Sequence, residues 1–219
     1  MTLKPTIIEQ VYQNYLSKPE CIALQDEKVT LTNRQLFTHV YVLAKQLRNS
    51  KEAKGNAAVI VTMRRDVSSI IKYLALHLAQ IPLIPITDEV PKHQLSNYKM
   101  KLERKGFIAL PWCDYAPADK FTDEVTSEVK KCLTKVIDCR EFPKPDQVSD
   151  CMFTSGTTGE SKIIILRHKN LMASVQNILL FEPVLSSDIE LSFLPLSHSF
   201  ALTRMRTCLV AGARLRLCR

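Results

Sequence analysis

The chain has 219 residues, with 30 Lys and Arg against 22 Asp and Glu, which gives a formal net charge of +8. Hydrophobic residues make up 46% of the chain and only 5 residues are glycine, so a folded protein is indicated and a disordered one is excluded. No stretch approaches the roughly 20 apolar residues of a membrane span, and residues 1–10 lack the apolar core of a secretory signal, so we expect a cytoplasmic protein.

Helical and strand periods alternate from the N-terminus onward. Apolar residues over 7–16 fall on one helical face, which predicts a first helix. The segments 21–25 and 28–31 predict a short hairpin. Thr32, followed three residues later by Gln35, forms a capping box and predicts the start of a second helix.

The next segments are more apolar. Residues 57–62 are apolar on both faces, as in an interior parallel strand. Asp66 is placed to begin a helix with an apolar stripe. A strand is predicted over 81–86, and its two prolines, Pro82 and Pro85, favour an edge position or an early exit from the sheet.

The following elements continue the alternation. A polar helix is predicted after Pro91, a strand over 107–110, a helix near 122–133 and a strand over 135–139. Repeated strand–helix–strand units predict an α/β fold with mainly parallel sheets flanked by helices.

A proline-containing stretch divides the chain into two predicted lobes. Residues 141–149 contain Pro143 and Pro145 and are the best candidate for a linker. They would separate an N-terminal α/β lobe, 1–140, from the start of a second lobe, 150–219.

Cysteines and basic residues give no sign of a metal or a nucleic acid. The seven cysteines include no C-x-x-C pair, so we expect free, mostly buried thiols and no metal site. Basic residues lack the continuous stripe with interleaved aromatics that nucleic-acid binding requires. We therefore expect a solvated basic surface, densest near the C-terminus at Arg204, Arg206, Arg214, Arg216 and Arg219.

Residues 150–162, D-C-M-F-T-S-G-T-T-G-E-S-K, have the composition of a phosphate-binding loop. Glycines let the backbone approach an anion closely, and successive N–H groups can surround it. Hydroxyl groups add donors, and a lysine adds a full positive charge. The candidate phosphate-binding residues are Thr154, Ser155, Gly156, Thr157, Thr158, Gly159 and Lys162.

This loop does not have the Walker pattern. Gly156 and Gly159 are three residues apart and no glycine precedes Lys162, whereas a Walker loop needs G-x-x-x-x-G-K-[ST] opening a helix. The β-branched residues 163–165 predict a strand after the loop. From composition alone, a merely polar hairpin turn is an equal alternative.

The stretch from Thr154 to Lys162 resembles the signature loop of the adenylate-forming enzymes. This superfamily includes acyl-CoA synthetases, aryl- and fatty-acid–AMP ligases, luciferases and peptide-synthetase adenylation domains. The segments 31–36, 59–85, 168–171 and 194–202 resemble other family segments in the same order. The resemblance therefore covers nearly the whole chain.

The resemblance implies a two-step reaction. ATP and a small-molecule carboxylic acid give an acyl-adenylate and pyrophosphate, and the thiol of coenzyme A or of phosphopantetheine on an acyl carrier protein then takes the acyl group. The loop would hold the β- and γ-phosphates with Mg²⁺. Alternatives are an amino-acid-activating domain of a peptide synthetase, or a non-catalytic nucleotide-binding remnant.

The resemblance also implies a catalytic role for one histidine. His198 matches a histidine that lies at the acid-binding site in the acyl-CoA synthetase branch. The structural alternative is a turn histidine packed against Phe193 and Phe200.

The family's adenine-binding, ribose-binding and C-terminal lysine positions would fall beyond Arg219. We therefore expect that the isolated chain is a fragment that does not form acyl-adenylate in a pyrophosphate-exchange assay. An exposed sheet edge is expected to lower its solubility.

Overall fold

The computed structural model describes residues 3–50, 55–112, 137–154 and 161–218. The helices in these ranges are α1 (Ile7–Ser17), α2 (Asn33–Asn49), α3 (Val67–Ala79), α4 (Lys92–Glu103), α5 (His168–Phe181) and α6 (Ser199–Ala211). The strands are β1 (Ile22–Gln25), β2 (Thr30–Thr32), β3 (Ala57–Thr62), β4 (Leu83–Ile86), β5 (Ile108–Pro111), β6 (Val148–Thr154), β7 (Lys162–Arg167), β8 (Ile189–Ser192) and β9 (Arg214–Leu217).

Side-chain caps fix the starts of the first three helices. The hydroxyl of Thr6 caps α1, and Thr32 with Gln35 forms the predicted capping box of α2. The carboxylate of Asp66 accepts a hydrogen bond from the backbone N–H of Ser69 over 2.7 Å at the start of α3. Each cap satisfies amide groups that have no partner inside the helix, so the starts predicted for α2 and α3 are confirmed.

The strands form two sheets. The five-stranded sheet has the order β5-β3-β4-β6-β7, and all of its pairs except β6–β7 are parallel. The four-stranded sheet has the order β2-β1-β9-β8, in which β1–β2 is antiparallel and the other pairs are parallel. This arrangement confirms the predicted α/β fold with mainly parallel sheets flanked by helices.

The edge position predicted for the proline-containing strand is wrong, because β4 lies at the centre of its sheet. The carbonyl of Pro82 accepts from Val59 of β3, and that of Ile86 accepts from Met63, the residue after β3, so the alternating backbone turns Pro85 towards β6. There β4 pairs with β6 only at Leu83, opposite Asp150. The missing N–H of Pro85 therefore falls where that ladder has already ended.

The strand predicted over 135–139 is also wrong for residues 137–139, the part of that range that the structure describes. Ile137 has no regular structure and Cys139 begins a short 3-10 helix, Cys139–Glu141. The backbone N–H of Ile137 donates to the hydroxyl of Tyr12 over 3.1 Å, so a side chain takes the place of a neighbouring strand. The helix predicted near 122–133 lies outside the described residues.

The predicted division at 141–149 stays a prediction. Strand β6 begins within this segment, at Val148, and β6 and β7 continue the same sheet that contains β3, β4 and β5. In the described ranges, no helix is long and apolar enough to cross a membrane.

Helices cover both faces of the five-stranded sheet. Val59 and Val61 of β3 face the larger apolar core, which includes α1, α2, α3 and α6. The alternate residues Ala58 and Ile60 face a smaller cluster that includes Leu102 of α4. This alternation explains why β3 is apolar on both faces. The smaller cluster also includes Cys151 of β6, so α4 lies against β6.

Candidate functional site

The described ends of the candidate phosphate loop belong to an antiparallel hairpin. Thr154, the last residue of β6, lies opposite Lys162, the first residue of β7. The hydroxyl of Thr154 donates to the carbonyl oxygen of Lys162 over 3.5 Å. The prediction that the loop joins two strands is confirmed, and the absence of a helix after it argues against a Walker loop. Ser155, Gly156, Thr157, Thr158 and Gly159 lie outside the described residues.

A cleft of about 580 Å³ opens beside this hairpin. It lies at the carboxyl ends of the parallel strands β4 and β6, where α/β sheets commonly bind ligands. Thr154 and His198, which are 44 positions apart in the sequence, line the same cleft. The side chain of Lys162 is exposed at the hairpin end. The structure therefore brings one phosphate candidate, Thr154, together with the acid-site candidate, whereas Lys162 lies opposite Thr154 and is not among the residues that line the cleft.

His198 occupies the residue before the first turn of α6. Its backbone N–H donates to the carbonyl of Pro195 over 3.1 Å, and its own carbonyl accepts from Leu202 over 3.0 Å. The imidazole is exposed, whereas Phe193 and Phe200 are themselves 66% and 63% exposed. The backbone thus fixes the position of His198, and its acid-site role stays a prediction.

Helix α4 contacts the hairpin on both sides of the candidate phosphate loop. The ring of Tyr98 stacks on that of Phe153, with centroids 3.7 Å apart and planes 9° apart. The side-chain amide of Gln94 donates to the Tyr98 hydroxyl over 2.7 Å. One turn later, the ammonium group of Lys101 donates to the carbonyl of Ser161. The sequence indicated only that this helix is polar.

A buried polar cluster, consisting of Tyr73, His77, Ser149, Asp150 and Arg206, lies at the base of β6. The Asp150 carboxylate accepts from the Arg206 guanidinium, from the Tyr73 hydroxyl over 3.2 Å and from the Ser149 hydroxyl over 2.7 Å. It also contacts the His77 ring nitrogen Nε2 over 2.9 Å. All five residues are at most 3% exposed. This cluster surrounds the strand that ends at Thr154.

The electrostatics of the cluster favour an ionised Asp150. Burial by itself would raise the pKa of this carboxyl, but the Arg206 guanidinium and the His77 hydrogen bond outweigh it and hold the pKa well below its usual range. Burial also raises the pKa of Tyr73, so this hydroxyl stays protonated and can donate.

No sequence pattern predicted this buried polar cluster. Arg206 was predicted to belong to a solvated basic surface, and its burial shows that this is wrong. Arg204, two residues earlier, is instead partly exposed, and its guanidinium forms ion pairs with Glu182 and Glu190. A usable signal was present in α3, where Tyr73 and His77 are four residues apart and so lie on one helical face within an apolar segment.

Cys21, Cys151, Cys208 and Cys218 are free cysteines. Cys151 and Cys208 are buried and Cys21 is exposed. Burial raises the pKa of both buried thiols to about 12, so they are not reactive thiolates near neutral pH. Within the described ranges, no group of three or more His, Cys, Asp or Glu side chains could hold a metal ion.

The family model of the AMP-binding enzymes matches residues 11–219. The chain therefore belongs to this family, which is the adenylate-forming superfamily that its loop resembles.

Curated relatives come from two branches of the family. The chain is 45% identical over 58 residues to "Long chain acyl-CoA synthetase 6, peroxisomal" of Arabidopsis thaliana, covering 26% of this chain and 8% of that protein. It is 27% identical over 216 residues to "Gramicidin S synthase 2" of Brevibacillus brevis, covering 97% of this chain and 5% of that protein. The chain thus spans a small part of each relative.

Solved structures share the fold. One is an O-succinylbenzoate coenzyme A synthetase from Bacillus subtilis in complex with AMP, with a TM-score of 0.73 and 22% identity, covering 98% of this chain and 56% of that one. Another is VinN with L-aspartate, with a TM-score of 0.75 and 14% identity, covering 99% and 63%. The chain spans a little over half of these structures.

Proposed function

We propose that this chain supplies the polyphosphate-binding and acid-binding part of an AMP-forming acid–thiol ligase. The observation that carries the proposal is the shared cleft of Thr154 and His198, with Lys162 opposite Thr154 at the hairpin end. Family membership supports the use of ATP. The complete reaction would activate a carboxylic acid and pass its acyl group to coenzyme A or to a carrier protein.

The residues of the hairpin end fit a polyphosphate. The Thr154 hydroxyl and the exposed Lys162 ammonium would bind the terminal phosphates, with Mg²⁺ held among the phosphate and hydroxyl oxygens. When bound, ATP supplies the adenylyl group that makes the acid's oxygen a good leaving group. Lys162 would then stabilise the negative charge that develops on the departing pyrophosphate.

His198 would act at the other end of the cleft. An imidazole near the carboxylate of the acid can donate a hydrogen bond to it and orient it towards the α-phosphate. No protein nucleophile is required, because the attacking oxygen belongs to the substrate.

A second candidate is an amino-acid-activating domain of a peptide synthetase. The alignment to Gramicidin S synthase 2 favours it because it spans 97% of the chain. The short but more identical alignment to the plant acyl-CoA synthetase favours a fatty acid as substrate. Both candidates use the same polyphosphate site and differ in the acid.

Titration calorimetry of the 219-residue chain with magnesium ATP tests the polyphosphate site. We expect that Lys162→Met weakens binding roughly ten- to hundredfold, because it removes a charged hydrogen-bond donor. Magnesium tripolyphosphate should show a similar loss, since the lysine is proposed to contact phosphate and not adenosine.

A matched control is Lys28→Met, which removes the same charge from an exposed residue of the β1–β2 hairpin in the other sheet. It should leave the affinity unchanged. Equal losses in both variants would indicate a general charge effect, and unchanged binding by Lys162→Met would refute the assignment.

A further inference from the structure

The ion pair of Asp150 and Arg206 joins two of the elements that line the cleft, β6 and α6. Asp150 lies on β6, four residues before Thr154, and Arg206 lies on α6, eight residues after His198. Strand β6 belongs to the five-stranded sheet, whereas α6 packs against β8 and β9 of the four-stranded sheet. The pair therefore crosses from one layer of the fold to the other.

The contacts around this pair are directional. Besides the Arg206 guanidinium, the carboxylate of Asp150 accepts from Tyr73 of α3, and the Arg206 Nε–H donates to the same Tyr73 hydroxyl over 2.7 Å. The ion-pair side chains are 3% and 0% exposed, so solvent does not replace a lost contact. Only one relative placement of β6, α3 and α6 satisfies all of these bonds.

A buried ion pair is weak evidence for stability, because apolar residues of similar size often stabilise a fold equally well. A directional network is better suited to fixing one geometry than to adding stability. We propose that Asp150 and Arg206 are positioning residues, which hold the Thr154 end of β6 in a fixed place relative to His198. This inference rests on the proposed function.

The test separates geometry from stability with an apolar variant. Tyr73→Phe, Asp150→Leu and Arg206→Met together remove the directional bonds but keep the interior filled. We expect a cooperatively folded chain whose affinity for magnesium ATP is at least tenfold weaker. Leu47→Ala, at a buried site on α2, is the control for loss of stability and should bind magnesium ATP like the original chain.

A distance measurement gives a readout that does not depend on binding. Nitroxide labels on p-acetylphenylalanine at Ile165 of β7 and Phe200 of α6, both on exposed positions, report the separation of these elements by pulsed electron spin resonance. We expect a narrow distance distribution in the original chain and a broader or shifted one in the apolar variant.

Each outcome decides a different point. If the original chain does not bind magnesium ATP, the proposed function fails and the inference fails with it. If it binds and depends on Lys162, but the folded apolar variant binds equally well, only the positioning role is overturned. If the apolar variant does not fold, Arg206→Lys replaces it in the test, because lysine keeps the positive charge but lacks the planar guanidinium that donates to both Tyr73 and Asp150. Unchanged affinity and unchanged label distances in this variant would overturn the inference.

Discussion

Replacement of Phe37 by alanine should lower the free energy of unfolding by about 3–5 kcal/mol. Phe37 lies on α2 and is 0% exposed. Its ring centroid is 4.9 Å from that of Tyr12 and 5.4 Å from that of Tyr15, both on α1. The ring centroid of Tyr12 in turn lies 5.3 Å from that of Phe142. Removal of the ring leaves a cavity between two helices and breaks a chain of aromatic contacts.

Phe181→Ala is a matched control, because it deletes the same atoms from a side chain that is 90% exposed at the end of α5. Its effect should stay within about 0.5 kcal/mol. Urea unfolding followed by circular dichroism measures both variants. Similar losses in the two variants would contradict the burial of Phe37 in a packed core.

Local signals explain why many elements could be predicted. Thr32 and Gln35 start α2 through contacts within four residues of the chain, and Asp66 starts α3 in the same way. The apolar run of β3 needs no partner to be recognised as a buried strand. These features depend on neighbours in the sequence, so the sequence suffices to find them.

Features that depend on distant partners were not accessible in the same way. The central position of β4 depends on β6, which is more than 60 residues further along the chain. Leu24 of β1 pairs with Leu215 of β9 from almost the opposite end of the chain. No periodicity in either segment encodes the choice of neighbour, and of the two alternatives that the prolines favoured, an edge position or an early exit, the edge position was wrong.

The candidate site likewise combines features with a local sequence signal and features that depend on distant partners. Composition and resemblance together predict that residues 154–162 bind phosphate, and resemblance singles out His198; both roles stay predictions. The shared cleft of Thr154 and His198 arises only in the folded chain. The ion pair of Asp150 with Arg206 is likewise tertiary, because a single charged residue in a sequence does not reveal that it is buried.

Acid should destabilise the protein through His168. This residue begins α5 and is 1% exposed, with its ring 5.0 Å from that of His77 in an edge-on contact. Burial and the nearby His77 together lower its pKa to about 3, although the carboxylate of Asp150 opposes the shift. The folded protein therefore keeps His168 neutral well below the ordinary pKa of about 6.5.

The direction of the effect follows from proton binding. Between about pH 6.5 and pH 3 the unfolded chain binds a proton at His168 that the folded protein does not, so the free energy of unfolding falls as the pH falls. Each pH unit in this window corresponds to about 1.4 kcal/mol. We expect a loss of about 2 kcal/mol between pH 7 and pH 5, before most carboxylates titrate.

Urea unfolding at pH 7, 6 and 5 tests this, with His168→Phe compared with the original chain. The phenylalanine keeps a ring in the site but cannot bind a proton, so about 2 kcal/mol of the pH dependence should disappear. His93→Gln, at an exposed position on α4, should leave the slope unchanged because its surroundings alter little on unfolding. An equally steep slope in His168→Phe would show that His168 is not the group whose protonation drives the loss.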